Sequence, residues 1–234
     1  MIEVFLMALL PVVAIGSYVY IRDAYEREPI VSVLKAFFLG CLSVVPVLFF
    51  GSIILPFTPQ DPFWEPAFTA FITASFLEEA NKLIMLLLFV RFSKEFNERM
   101  DGIVYAVFIS LGFAAVENIL YVSSGGLQTA MLRSVTAVPA HAVFGVLMGF
   151  HFSKAYFNKE NKLWHYLVCF LFPFFWHGAY DYILMIAPYL EHHLGFSALV
   201  ALIGFIIFLV YTYKMGIKRI NIFRVFSRNR WGRK

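Results

Sequence analysis

Phe76-Leu77-Glu78-Glu79-Ala80-Asn81-Lys82 sets three ionisable side chains in the middle of an otherwise apolar run, residues 67–90. A run of that length is enough to cross a bilayer. A charged residue at the centre of a spanning helix costs about 2.5–3.5 kcal/mol on insertion scales, so three together expel the segment unless partners wait inside the fold. On a helix Lys82 lies four residues beyond Glu78 and three beyond Glu79, within reach of either carboxylate. One Glu is then left with its negative charge. The remaining polar residues at membrane depth are Glu117, Asn118, His141, His177 and Asp181, and the rest of the chain is expected to serve as the scaffold that brings them to this pair.

Composition fixes the class. With 61% hydrophobic and 15% charged residues and a mean hydropathy of +0.75, the 234-residue chain is far too apolar for a soluble domain and reads as an integral membrane protein. Its length allows one helical bundle and no separate soluble domain of useful size. Cys41 and Cys169 lie inside apolar runs without CxxC spacing, which suggests neither a disulfide framework nor a cysteine metal site. The excess of four positive charges does not signal nucleic acid, because the positions of the basic residues report membrane topology instead.

Seven spans are expected in order. The first, residues 4–20, has no basic residue before it and no small-residue cleavage site, so it reads as a retained helix and not a removable signal peptide. The second, 31–55, carries Pro46 in its interior, a candidate kink. Residues 56–66 hold four prolines and Trp64 and read as a loop with an interfacial anchor. The third span, 67–90, carries the acidic pair. The fourth, 101–122, has Asp101 as its expected N-cap, and Ser123-Ser124-Gly125-Gly126 signals a turn. The fifth starts near Arg133 and continues to about 152, with Ala137, His141, Gly145, Gly149 and Ser153 forming a small-residue stripe of the kind that lets membrane helices approach closely. The sixth, 163–187, spaces Pro173, His177 and Asp181 by four, and Pro173 is expected to bend it. The seventh runs from Phe196 to about 213.

Seventeen of the 19 Lys and Arg residues fall in the odd-numbered gaps, which include Lys154, Lys159 and Lys162, or in the tail that ends at Arg233 and Lys234. Only Lys82 and Arg133 remain. The positive-inside rule then puts the N-terminus outside and the C-terminus inside, so the fold class is an all-α polytopic bundle of about seven membrane helices. Residues 1–213 form the bundle, and 214–234 form a basic cytoplasmic tail suited to anionic lipids.

In this topology Glu78 and Glu79 lie about halfway through their span, and Glu117, His141, His177 and Asp181 at mid-depth or toward the outer ends of theirs. One shared site is the economical reading. Blander ones exist for each residue: His141 as an interhelical hydrogen bonder, Glu78 with Lys82 as a neutral pair, Glu117 as a hydrated carboxylate. Together, four carboxylates against one Lys leave about three negative charges, which need protons, imidazolium or a metal ion. His192, His193 and the two cysteines are given no role, and the 28 Phe and 12 Tyr are lipid-facing and interfacial composition. A proton-coupled transporter would use the same buried Glu and His, but the chain has no inverted repeat and no second acidic motif.

The ordered motifs, EExxK at Glu78 to Lys82, Glu117-Asn118, His141 followed by Phe144-Gly145, and HxxxD at His177 to Asp181, resemble the PrsW family of bacterial intramembrane proteases. More distantly they resemble the CAAX prenyl endopeptidases, which differ in having Arg one residue beyond the position of Lys82 and commonly Asn where this chain has Asp181. The resemblance implies a protease core at 67–187 in the cytoplasmic membrane of a bacterium, and a single-span substrate of the anti-sigma-factor type cut on its extracytoplasmic side as part of a stress response. Peptide hydrolysis at membrane depth needs a base to hold water and a donor for the oxyanion. Glu78 assisted by His141 is the expected base, and His177 with Asp181 the expected oxyanion or leaving-group partner. Glu79 and Lys82 would tune charge, with Glu117 and Asn118 in support. A zinc ion held by His141, His177 and Glu78 and a metal-free mechanism stand equally open.

Overall fold

The computed structural model describes residues 2–158, 160–195 and 198–231, so Lys159, Phe196, Arg233 and Lys234 lie outside the described residues. Among the described residues the secondary structure is helical, with no strand. Helix α1 spans Ile2–Arg22, α2 Ile30–Leu42, α3 Val44–Ile54, α4 Trp64–Phe68, α5 Leu77–Phe92, α6 Arg99–Val135, α7 Ala137–Phe157, α8 Lys162–Leu194 and α9 Ala198–Trp231. Four stretches are long and apolar enough to cross a membrane: Ile30–Phe57, Arg99–Phe157, Lys162–His193 and Leu199–Trp231. The helix with the acidic pair is not one of them, and it carries three charges within five residues.

Proline and glycine chemistry explains most of the breaks. Pro46 frees the carbonyl of Leu42, and the helix is interrupted there, at Ser43, whose hydroxyl donates to Gly40 O at 2.6 Å. Pro173 behaves differently: α8 continues through it without a break. The loop after α3 holds a short 3-10 turn, Leu55–Phe57, and then α4, where Trp64 is exposed and Phe63 packs on Tyr189 of α8. A wide π-helical stretch, Thr69–Phe76, joins α4 to α5, and its Ser75 hydroxyl donates to Phe174 O.

Asp101 does not cap α6 as expected. Glu98 is the N-cap, and Asp101, three residues on, accepts backbone N–H bonds from Asn97 and Glu98, both at 2.7 Å. The two acids thus share the work of closing the helix start. The turn expected at 123–126 is confined to Gly126, whose φ of 67° suits a residue without Cβ. A further helical piece then leads to Thr136, and α7 starts at Ala137.

Helices α6 and α7 form the central hairpin; α1 and α2 pack on α6, and α8 on α7. Their seam is the small-residue stripe: a Cβ on Gly149 would meet Gly102 O at 2.0 Å, so the backbones touch where any larger residue would force them apart. Nearly all of α7 is buried, whereas α2, α3 and α9 turn Leu, Ile and Phe outward, as in a bundle surrounded by lipid. Helix α9 does not stop at the basic residues. It runs on to Trp231, stacking Phe223 on Phe150 of α7 at 4.4 Å and placing Ser227 and Trp231 within 2.8 and 2.7 Å of the Glu98 carboxylate.

Candidate active site

The acidic pair opens α5 directly after the π-helical stretch, and Glu79 and Lys82 are fully enclosed while Glu78 keeps 6% of its surface exposed. Lys82 Nζ lies 3.2 Å from Glu78 Oε2, 2.8 Å from Glu79 Oε1 and 3.1 Å from Nδ1 of His141 on α7. An ammonium has three protons and no acceptor, so these contacts use all of them and His141 must present Nδ1 as an acceptor. Its proton is then on Nε2, which faces Glu117 Oε2 of α6 at 2.9 Å. His177 on α8 reaches the same acids from the other side, with Nδ1 2.9 Å from Glu79 Oε1 and Nε2 3.3 Å from Asp181 Oδ2. Carboxylates at both ring nitrogens suit a ring that donates from both. The two imidazoles lie edge to face, 5.1 Å between centroids, and Phe144 stacks on His177 at 4.8 Å.

Every side chain expected at the site is therefore joined to the network, Asp181 through His177 and Asn118 through a residue absent from the sequence reading of the site. That residue is Arg133. Its guanidinium donates to Glu117 Oε2 at 2.7 Å and to Asn118 Oδ1 at 2.8 Å, and Asn118 donates in turn to Ala8 O of α1 at 2.8 Å. Glu117 is thus ion-paired, not merely hydrated. One signal pointed to Arg133: besides Lys82 it is the only Lys or Arg that the positive-inside count leaves over. Arg133 and a doubly donating His177 also remove most of the expected negative excess.

The donor set suits a cation. Glu78, Glu79, His141 and His177 each offer one ligand atom, all within 4.8 Å of one another. Glu79 Oε2 is buried with no hydrogen-bond partner. Two imidazoles with carboxylates match the preference of zinc, and the Lys82 ammonium already draws on three of these four groups, Glu78, Glu79 and His141. The residues fit a metal once that ammonium moves aside and His177 gives up one ring proton.

Residues 28–212 match the model of the PrsW family intramembrane metalloprotease. The chain belongs to that family. Protease PrsW of Geobacillus kaustophilus is 40% identical over 185 residues, 79% of this chain and 81% of the relative. Protease PrsW of Bacillus subtilis is 38% identical over 175 residues, 74% and 79% of the two chains, and that of Clostridioides difficile 32% over 191 residues, 79% and 80%. No solved structure matches. The PrsW match takes in all nine polar residues of the network, from Glu78 to Asp181, and Phe144 beside them. As a PrsW protein the chain is a multi-pass membrane peptidase.

Proposed function

We propose that this peptidase cuts a single-span membrane protein of the anti-sigma-factor type near the extracytoplasmic side, using a water activated by Glu78 and His141. The observation that carries the reading is the meeting of Glu78, Glu79, His141 and His177 from three helices inside a membrane bundle. Of the two acids, Glu78 is the one with residual exposure, so water reaches it first and it serves as the base. Glu79, enclosed between Lys82 and His177, holds charge and geometry. The weakest contact in the group is that of His177 Nε2, 3.3 Å from Asp181 and 3.9 Å from Glu78, so this N–H is the one that can turn to an oxyanion or a leaving amine. Glu117 and Arg133 fix the tautomer of His141.

Glu78, Glu79, His141 and His177 would hold a zinc ion, which when bound supplies Lewis acidity and a more acidic water. Orientation follows the charge count: N-terminus outside, seven crossings, and the basic half of α9 against anionic lipid on the cytoplasmic side.

The experiment is turnover of a membrane-tethered peptide by the purified protein. Glu78→Gln, His141→Ala and His177→Ala are each expected to lower the rate by at least about 100-fold, the usual scale of acid–base catalysis. Hydrolysis surviving in all three, or solute-driven proton flux in liposomes without any peptide product, would overturn the reading.

A further inference from the structure

A second group of acids gathers at the far end of α6. Asp23, Glu26 and Glu28 come from the link between α1 and α2, and Glu98 and Asp101 from the start of α6. Asp101 precedes Glu117 by 16 residues, about 24 Å along the helix at 1.5 Å per residue, so this group is separate from the catalytic one.

These carboxylates are held in place without a cationic side chain beside them. Asp23, Glu28 and Asp101 are at most 1% exposed. One oxygen of each is fixed: Asp23 Oδ2 by the Glu28 N–H at 3.2 Å, Glu28 Oε2 by the Tyr105 hydroxyl, and Asp101 Oδ2 by the N–H groups of Asn97 and Glu98. Asp23 Oδ1 and Glu26 Oε2 are buried with no hydrogen-bond partner, and the Glu28 and Asp101 carboxyl groups meet only each other on their remaining side. Among the described residues no Lys, Arg or His forms an ion pair with any of the five acids. Glu26, Glu28 and Asp101 each offer an oxygen, and the three lie within 4.8 Å of one another, the span of two oxygens across a cation about 2.4 Å from each.

We propose that Glu26, Glu28 and Asp101, backed by Asp23, bind a hard divalent cation of the Ca2+ or Mg2+ class. All-oxygen, all-carboxylate ligation selects such ions over the softer metals that imidazole favours. The bound ion would pin the α1–α2 link to the start of α6. Through Glu98, which accepts from Ser227 and Trp231, it would also steady the end of α9.

The test is calorimetric titration of chelator-treated full-length protein in detergent with CaCl2 and, separately, MgCl2, alongside the thermal midpoint. One equivalent is expected to bind and raise the midpoint, with the tighter of the two salts identifying the ion. Glu28→Gln and Asp101→Asn are expected to weaken binding at least tenfold, while Glu78→Gln leaves it unchanged. Because Asp101 also closes the start of α6, its variant can misfold; the half-buried Glu26→Gln variant then decides, with the same tenfold loss expected. Absence of binding by either salt up to about 10 mM, above the millimolar range of the weakest protein calcium sites, would show that the acids share protons instead and overturn the proposal. Binding unchanged by Glu28→Gln and Glu26→Gln would also overturn it.

Discussion

Lys82 Nζ lies 3.1 Å from His141 Nδ1, so a lysine on α5 sets the proton of a histidine on α7 that lies 59 residues later in the chain. The same ammonium is shared by Glu78 and Glu79, at 3.2 and 2.8 Å. Replacing it with a shape-matched apolar side chain leaves two buried acids without their partner. Lys82→Met is therefore expected to destabilise the metal-free protein by about 3–5 kcal/mol, the scale for breaking a buried ion pair. It also frees Glu78, Glu79 and His141 of a competing positive charge, so the variant is expected to retain more zinc per mole than the parent. Unfolding in denaturant after chelation checks the first outcome, and elemental analysis of purified protein the second.

Arg133 touches Glu117 and Asn118 but neither acid of the pair, and acts on His141 only through Glu117. Arg133→Met is expected to lower kcat by about 10–100-fold with little change in KM, as is usual when the outer partner of a positioned histidine is lost. Arg133→Lys should restore part of the rate. The split of kcat from KM in a fluorogenic membrane-peptide assay tests it, since misfolding alone would lower the active fraction without rescue by Lys.

Stability should fall with rising pH in chelator. Between their ordinary values, 3.8 and 4.5, and about 7, the Asp23 and Glu28 carboxyls of the folded protein keep protons that the unfolded chain has released. A native state that binds more protons loses stability as pH rises through that window, and the loss is complete above it. The groups facing these carboxyls are Glu26, Glu98 and Asp101, with Tyr105 donating to Glu28 and Asn97 to Glu26. Thermal midpoints in detergent are expected to drop from about pH 5 to about pH 8 without divalent ions, with a smaller drop in Glu28→Gln.

The proposed orientation is checked by cysteine labelling in intact cells. Single cysteines near Trp64, Gly125 and His192 are expected to react with an impermeant reagent, and cysteines at Asn158 and Lys218 only after lysis. The reverse pattern would move the site to the cytoplasmic half of the membrane.

The sequence by itself determined the helical membrane class and which polar residues would have to meet inside the bundle. Acids inside the apolar run at 67–90 are tolerable only with buried partners, and the chain carries few other ionisable residues at that depth, so Glu117, His141, His177 and Asp181 were legible without coordinates. The glycine stripe that seats α7 on α6 was legible for a similar reason: four-residue spacing of small side chains has one physical use in a membrane helix. Local signals fared less well where two solutions differ little in energy. Glu98 and not Asp101 caps α6, because both acids serve its free N–H groups and the path of the incoming chain chooses between them. Only the tertiary structure decided what depends on contacts across the chain. Arg133 joins the site because a helical piece after Gly126 folds it back over Glu117, a turn geometry that charge counting does not encode. The basic residues 214–231 continue α9 because Phe223 finds Phe150, and Glu26, Glu28 and Asp101 come together because the α1–α2 link lies over the start of α6. Periodicity records which face of a helix is apolar; which neighbour that face meets is fixed by packing between segments far apart in sequence.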